Sequence, residues 1–196
     1  SDGMPSLPSE SHVIYNDRDF ALEGHSCETA GVRKVLPDNT GGSPLDLLEL
    51  ADIALDCDFE FYTRNGSSVT GATNDCLNVM NGVDSIYSAE VEIEYFITTI
   101  LVRTSPINSY QNANGSSALL NAFAGYWNAN HGSINRDVAH LMSGKGTFGS
   151  TIGIAQLGVI CNRSSAYGVS WSKWSSNLTR RRGLTAHELG HNWNAG

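Results

Sequence analysis

The sequence has no apolar run long enough to cross a bilayer, and it is short of basic residues: 12 Lys and Arg against 20 Asp and Glu in 196 residues, a formal net charge of -8. The first shortage rules out a membrane-spanning helix in this chain. The second removes the basic face that nucleic-acid binding needs. Cysteine is sparse as well. The four cysteines (Cys27, Cys57, Cys76 and Cys161) lack the close pairing of a zinc ribbon, and they allow three full pairings without selecting one. With 40% hydrophobic and 16% charged residues, the composition is that of a globular chain and not a disordered one. The length suits one domain with a proper core and is marginal for two.

Residues 1–45 stand apart from the rest. They are rich in Pro, Ser, Gly and charge with little periodicity, as in Met4-Pro-Ser-Leu-Pro8 and Pro37-Asp-Asn-Thr-Gly-Gly-Ser-Pro44, and are expected to be an extended leader or pro-segment, not a folded unit. A start at Ser-Asp-Gly in place of Met suits a processed or trimmed product. Asn-x-Ser/Thr sequons at Asn65, Asn114, Asn162 and Asn177, taken with the cysteines, tilt toward a secreted eukaryotic glycoprotein; at each site the sequon reads equally well as unused.

The folded domain is expected over 46–196, and from about residue 48 an alternating α and β pattern appears. Ala51 to Tyr62 alternates apolar and polar positions, as a half-buried strand does. Ser68 to Ala89 carries Val69, Leu77, Met80, Val83, Ile86 and Tyr87 at helical spacing. Val91 to Val102 is β-branched and aromatic, a second strand. After a loop from Pro106 to Ser116, Ser117 to Asn130 is a helix with Leu120, Phe123, Ala124 and Trp127 on one side. Short strands follow at Val138–Met142, Ile152–Ile160 and Tyr167–Trp171, and a last helix at Leu184–Trp193. Alternation of this kind implies an α+β domain, a mixed sheet with helices packed on it.

The last helix contains His187-Glu188-Leu189-Gly190-His191. Residues four apart share a helical face, so both imidazoles can reach one ion, and zinc takes neutral imidazole nitrogens in a tetrahedral shell. Glu188, beside the first ligand, is then placed to act as general base on a water at the open position. A helix end whose two histidines face water or pack on the core is the bland reading of the same residues. Arg180-Arg181-Arg182 precedes this helix; positive charge at a helix N-terminus opposes its dipole, so a solvated cluster, a processing site or an acidic partner is expected there, not a stabilising role.

The motif and what surrounds it resemble the adamalysin (reprolysin) branch of the metzincin zinc metalloproteases. The resemblance covers roughly residues 50–196 and is strong over about the last 60, through Asp137-Val-Ala-His-Leu-Met-Ser-Gly144, Thr151-Ile-Gly-Ile-Ala-Gln-Leu-Gly-Val-Ile-Cys161 and His187-Glu-Leu-Gly-His-Asn192. It implies a zincin-like fold: a twisted five-stranded mixed sheet with two long helices and a zinc-binding active-site helix. It implies a secreted zinc endopeptidase with a polypeptide substrate. The family's turn glycine falls on Asn194, a departure that Asn tolerates because it adopts left-handed backbone more readily than other non-glycine residues. The family's third zinc histidine would come just after Gly196, in a downstream remainder of the catalytic domain.

The resemblance also makes Gly153, Ile154, Ala155, Gln156 and Leu157 an edge strand that holds substrate backbone, although from the residues alone an ordinary buried strand fits equally well. It would pair Cys161 with a cysteine beyond the third histidine. Cys57 and Cys76 could then bridge the first strand to the first helix, worth roughly 3 kcal/mol. Cys27 is left, either as an inhibitory zinc ligand that keeps a zymogen latent or in a plain disulfide. Without a third ligand, the rival to an active protease is a catalytically incompetent fragment or pseudo-protease that serves as a structural or binding module.

Overall fold

The computed structural model describes residues 26–30 (backbone), 49–146 and 149–195. Five helices and six strands are formed there. The strands are β1 (Ser26–Ala30), β2 (Glu49–Cys57), β3 (Ile93–Val102), β4 (Val138–Met142), β5 (Thr151–Gln156) and β6 (Tyr167–Ser170); the helices are α1 (Phe59–Arg64), α2 (Val69–Glu90), α3 (Asn108–Gln111), α4 (Ser116–Asn130) and α5 (Leu178–Asn192). They make one mixed sheet in the order β1-β5-β6-β4-β2-β3. β5 and β6 are antiparallel, and every other neighbouring pair is parallel.

Strand alternation divides the apolar residues between two layers. From β2, Ile53, Leu55 and Cys57 face one cluster with Cys76, Val79, Met80 and Val83 of α2 and Leu189 of α5. Ala54, between them, faces a second cluster with Leu119, Leu120, Phe123 and Trp127 of α4. The period of two in the strands meets the 3.6-residue stripe of each helix, giving a sheet covered by α2 and α5 on one side and α4 on the other. Parallel neighbours need crossovers, and α2 and α4 provide them.

Several elements differ from expectation. The sheet has six strands, the sixth (β1) coming from the leader. The strand expected to run to Tyr62 stops at Cys57, because the buried carboxylate of Asp58 accepts from the Phe61 amide at 2.7 Å and caps α1. Phe61 then packs into the core as a helical residue. In the loop after Pro106 a short helix forms, α3.

The last helix starts at Leu178, with the Asn177 side chain capping the Arg180 amide. The arginine run is therefore inside α5. Arg181 is buried and paired to Asp75 of α2 at 2.6 Å, and Lys173 meets the same carboxylate at 2.8 Å. Burial alone would raise the Asp75 pKa, but its two cationic partners outweigh that and hold it below the ordinary carboxylate value. The solvated cluster is corrected at this residue: a distant acid, invisible in local sequence, makes Arg181 a stabilising contact.

Candidate metal and active site

α5 brings His187, Glu188 and His191 together over one turn. The two imidazole rings lie with centroids 4.4 Å apart and nearly perpendicular planes. The Nδ1 of His191 is 2.7 Å from the Ala195 carbonyl. A carbonyl only accepts, so Nδ1 carries the proton and Nε2 keeps its lone pair for a metal. Glu188 is fully buried. Its carboxylate lies against β5, since a Cβ added at Gly153 would come within 2.0 Å of Glu188 Oε1. Glycine at 153 is what lets the strand pass so close to this acid.

The helix then ends in a left-handed turn. Asn194 has φ +77°. The Ala195 amide donates to the Gly190 carbonyl at 2.9 Å, and the Asn194 amide to the His191 carbonyl at 2.9 Å. These two bonds make a Schellman cap, normally built on glycine, so Asn194 carries the turn expected of it. The cap also explains the His191 contact, because it brings the Ala195 carbonyl back to the ring.

The helix is held in place from several sides. The Tyr87 hydroxyl donates to the Ala186 carbonyl at 2.8 Å, and Trp193 Nε1 donates to the Tyr95 hydroxyl at 2.8 Å. Asn192 Nδ2 donates to the carbonyls of Gln156 and Tyr167. None of Tyr87, Tyr95, Asn192 and Trp193 was picked out as a site residue from sequence. For Asn192 the signal was its place directly after the second histidine of the motif.

The residues expected to form the substrate strand lie in or next to one strand. Gly153, Ile154, Ala155 and Gln156 lie in β5, and Leu157 just beyond it. β5 is not the outer strand, because β1 pairs with it in parallel and sets Cys27 opposite Gly153 and Glu28 opposite Ile154. Cys27 is thus placed in register with the residue that touches Glu188; its side chain lies outside the described residues.

Cys57 and Cys76 are buried thiols in mutual contact. Their hydrogen bond, followed by burial, pushes the Cys57 thiol well above its ordinary range. Cys161 is an exposed thiol at φ +65°. Of the sequon residues, Asn65 donates to the Phe61 carbonyl, Asn177 caps α5, Asn162 accepts from Ser164, and Asn114 is exposed. His140 is fully buried on β4 beside Ser170, where burial pushes its pKa down to about 3, and His131 lies by Arg103.

Among the described residues no three His, Cys, Asp or Glu side chains gather as a metal site, and no helix is long and apolar enough to cross a membrane. The two neighbouring imidazoles have the donor chemistry that zinc takes, and the capped turn brings the Ala195 carbonyl back to His191.

Comparison with known proteins places these features in context. A reprolysin-type family model, described as metallo-peptidase family M12, matches residues 49–196. A solved structure titled "Structure of a chaperone-substrate complex" is similar in fold, with a TM-score of 0.54 at 13% identity. The match covers 74% of this chain and 23% of that one, so this chain spans less than a quarter of its length.

Proposed function

The chain belongs to metallo-peptidase family M12, and from that premise we propose that it is the N-terminal subdomain (residues 46–196) of a secreted zinc endopeptidase catalytic domain, preceded by a leader at 1–45 that keeps it latent. The observation that carries the proposal is the closeness of the His187 and His191 rings, 4.4 Å between centroids, with Glu188 one residue from the first. His187 and His191 would hold zinc, completed by a histidine directly after Gly196. When bound, the ion supplies Lewis acidity to the scissile carbonyl and lowers the pKa of water.

Glu188 takes the proton from the attacking water and passes it to the leaving amine. Its burial against Gly153 keeps the carboxylate at a fixed height below the substrate strand. With the leader strand withdrawn, the side of β5 that β1 occupies takes an extended peptide through backbone hydrogen bonds at Gly153, Ile154, Ala155, Gln156 and Leu157. The leader strand β1 lies on that same side, so leader and substrate compete for it. Cys27 is the leader residue assigned to the metal.

The reading is tested on the protein carrying its downstream remainder and freed of residues 1–45, by zinc analysis, peptide cleavage and the variant Glu188→Ala. One zinc per chain and a loss of cleavage of at least about 10²-fold are expected, the typical worth of a general base. A metal-free protein whose cleavage is untouched by Glu188→Ala overturns it, and a stable, metal-free, inactive protein supports the pseudo-protease instead. For latency, removal of residues 1–45 raises activity; unchanged activity removes the inhibitory role of the leader and of Cys27.

A further inference from the structure

We infer that Asn192 is a positioning residue that sets the substrate strand against the metal-binding end of α5; the inference rests on the reading of β5 as that strand. Asn192 is fully buried. Its Nδ2 donates to the Gln156 carbonyl at 2.8 Å and to the Tyr167 carbonyl at 3.1 Å. Those carbonyls lie where the β5–β6 ladder stops, one step past the Ala155–Gly168 pair. One side chain thus spends both amide protons closing the end of the ladder.

The backbone repeats the connection. The Asn192 carbonyl accepts from Val159 at 2.9 Å and Ile160 at 3.0 Å, and the His191 carbonyl accepts from Gly158 at 2.8 Å. The exit of β5 is therefore tied to the last two residues of the helix, one of which is a proposed metal ligand. The Asn192 Oδ1 makes no hydrogen bond among the described residues. Donation is what the position needs, and a carboxylate of the same shape offers no donor and sets negative charge against two carbonyl oxygens. A peptide bound to β5 moves with β5, so this tie controls where the scissile bond sits over the metal. A displacement of about 1 Å at that point is enough to cost about 10²-fold in rate.

The test compares Asn192→Asp and Asn192→Ser in the zinc-loaded protein carrying its downstream remainder, after removal of the leader (residues 1–45). One substrate is an eight-residue fluorogenic peptide that spans β5, and the other is a dipeptide amide too short to engage it. The wild type prefers the long peptide. Asn192→Asp lowers kcat on that peptide by about 10–100-fold while KM and the short substrate change little, zinc is retained, and Asn192→Ser, with one donor left, falls between. Equal losses on both substrates with a lowered Tm, or no loss on either, overturn the inference. A wild type without preference for the long peptide instead sinks the reading of β5 itself. Asn192→Ser carries the test if the aspartate variant does not fold.

Discussion

Two buried acids on opposite faces of the sheet show how differently one fold can use a carboxylate. Asp56, on the α4 side, is enclosed by protein donors: Arg103 Nε at 2.9 Å and Nη2 at 2.6 Å, Trp127 Nε1 at 2.7 Å and the Tyr110 hydroxyl at 3.2 Å. Burial would lower the Arg103 pKa, but the bonds and charge of Asp56 outweigh it and raise it instead. Both carboxylate oxygens accept, with Trp127, Tyr110 and Arg103 converging on Oδ2. Glu188, on the α5 side, shares its turn with two imidazoles and lies against a strand that has only hydrogen where a side chain would be. An acid enclosed by protein donors bolts elements together, whereas Glu188 is the acid that the proposed function sets beside two imidazoles.

The contrast breaks most sharply at Asp56. Asp56→Ala leaves the buried donors of Trp127 and Tyr110 and the half-buried Arg103 guanidinium without their acceptor and costs about 3 kcal/mol in chemical denaturation, while kcat of the folded fraction stays near wild type. A large fall in kcat with unchanged stability would erase the distinction between the two acids. At the other acid the effects exchange places. Gly153→Ala pushes a methyl into Glu188, and cleavage should drop by about 10²-fold, roughly 2.7 kcal/mol, with little change in Tm.

A third acid sharpens the comparison because it has bonds but no cation. Asp58 accepts from Phe61 and Gly144, and Ser143 donates to it. Burial nonetheless pushes its pKa from the ordinary 3.8 up to about 7. Between those values the folded protein keeps a proton that the unfolded chain has released. Stability therefore falls as pH rises from about 4 to about 7, by up to about 1.4 kcal/mol per unit, and levels off above. Asp58→Asn keeps the acceptor and should flatten that part of a urea-denaturation profile. The smallest effect concerns the helix end: Asn194→Ala places alanine at φ +77° and should cost about 1 kcal/mol, with Asn194→Gly close to neutral.

Most of the domain from residue 49 onward could be read locally. α2 and α4 begin and end within a residue of the bounds their apolar stripes implied, Ser68–Ala89 and Ser117–Asn130, because each buries one face against the sheet. The turn at Asn194 was legible because few residues tolerate its backbone. What misled was pattern without partners. Residues 58–62 continue the alternation of β2, and only the carboxylate of Asp58, meeting Phe61, Gly144 and Ser143, shows why a helix starts there. Arg181 looked solvated until Asp75, 106 positions away, closed on it.

By itself the sequence determined the composition of the candidate turn, since a spacing of four sets two histidines on one face of any α-helix with Glu188 beside the first, wherever that helix lies. Tertiary structure decided the rest: that Gly153 passes over Glu188, that the leader strand lies beside β5, and that Asn192 joins strand to helix. The physical reason is range. Helical periodicity is fixed by neighbouring backbone units, but the distance between a strand and a helix is set by hydrogen bonds between residues dozens of positions apart, and no local pattern encodes it.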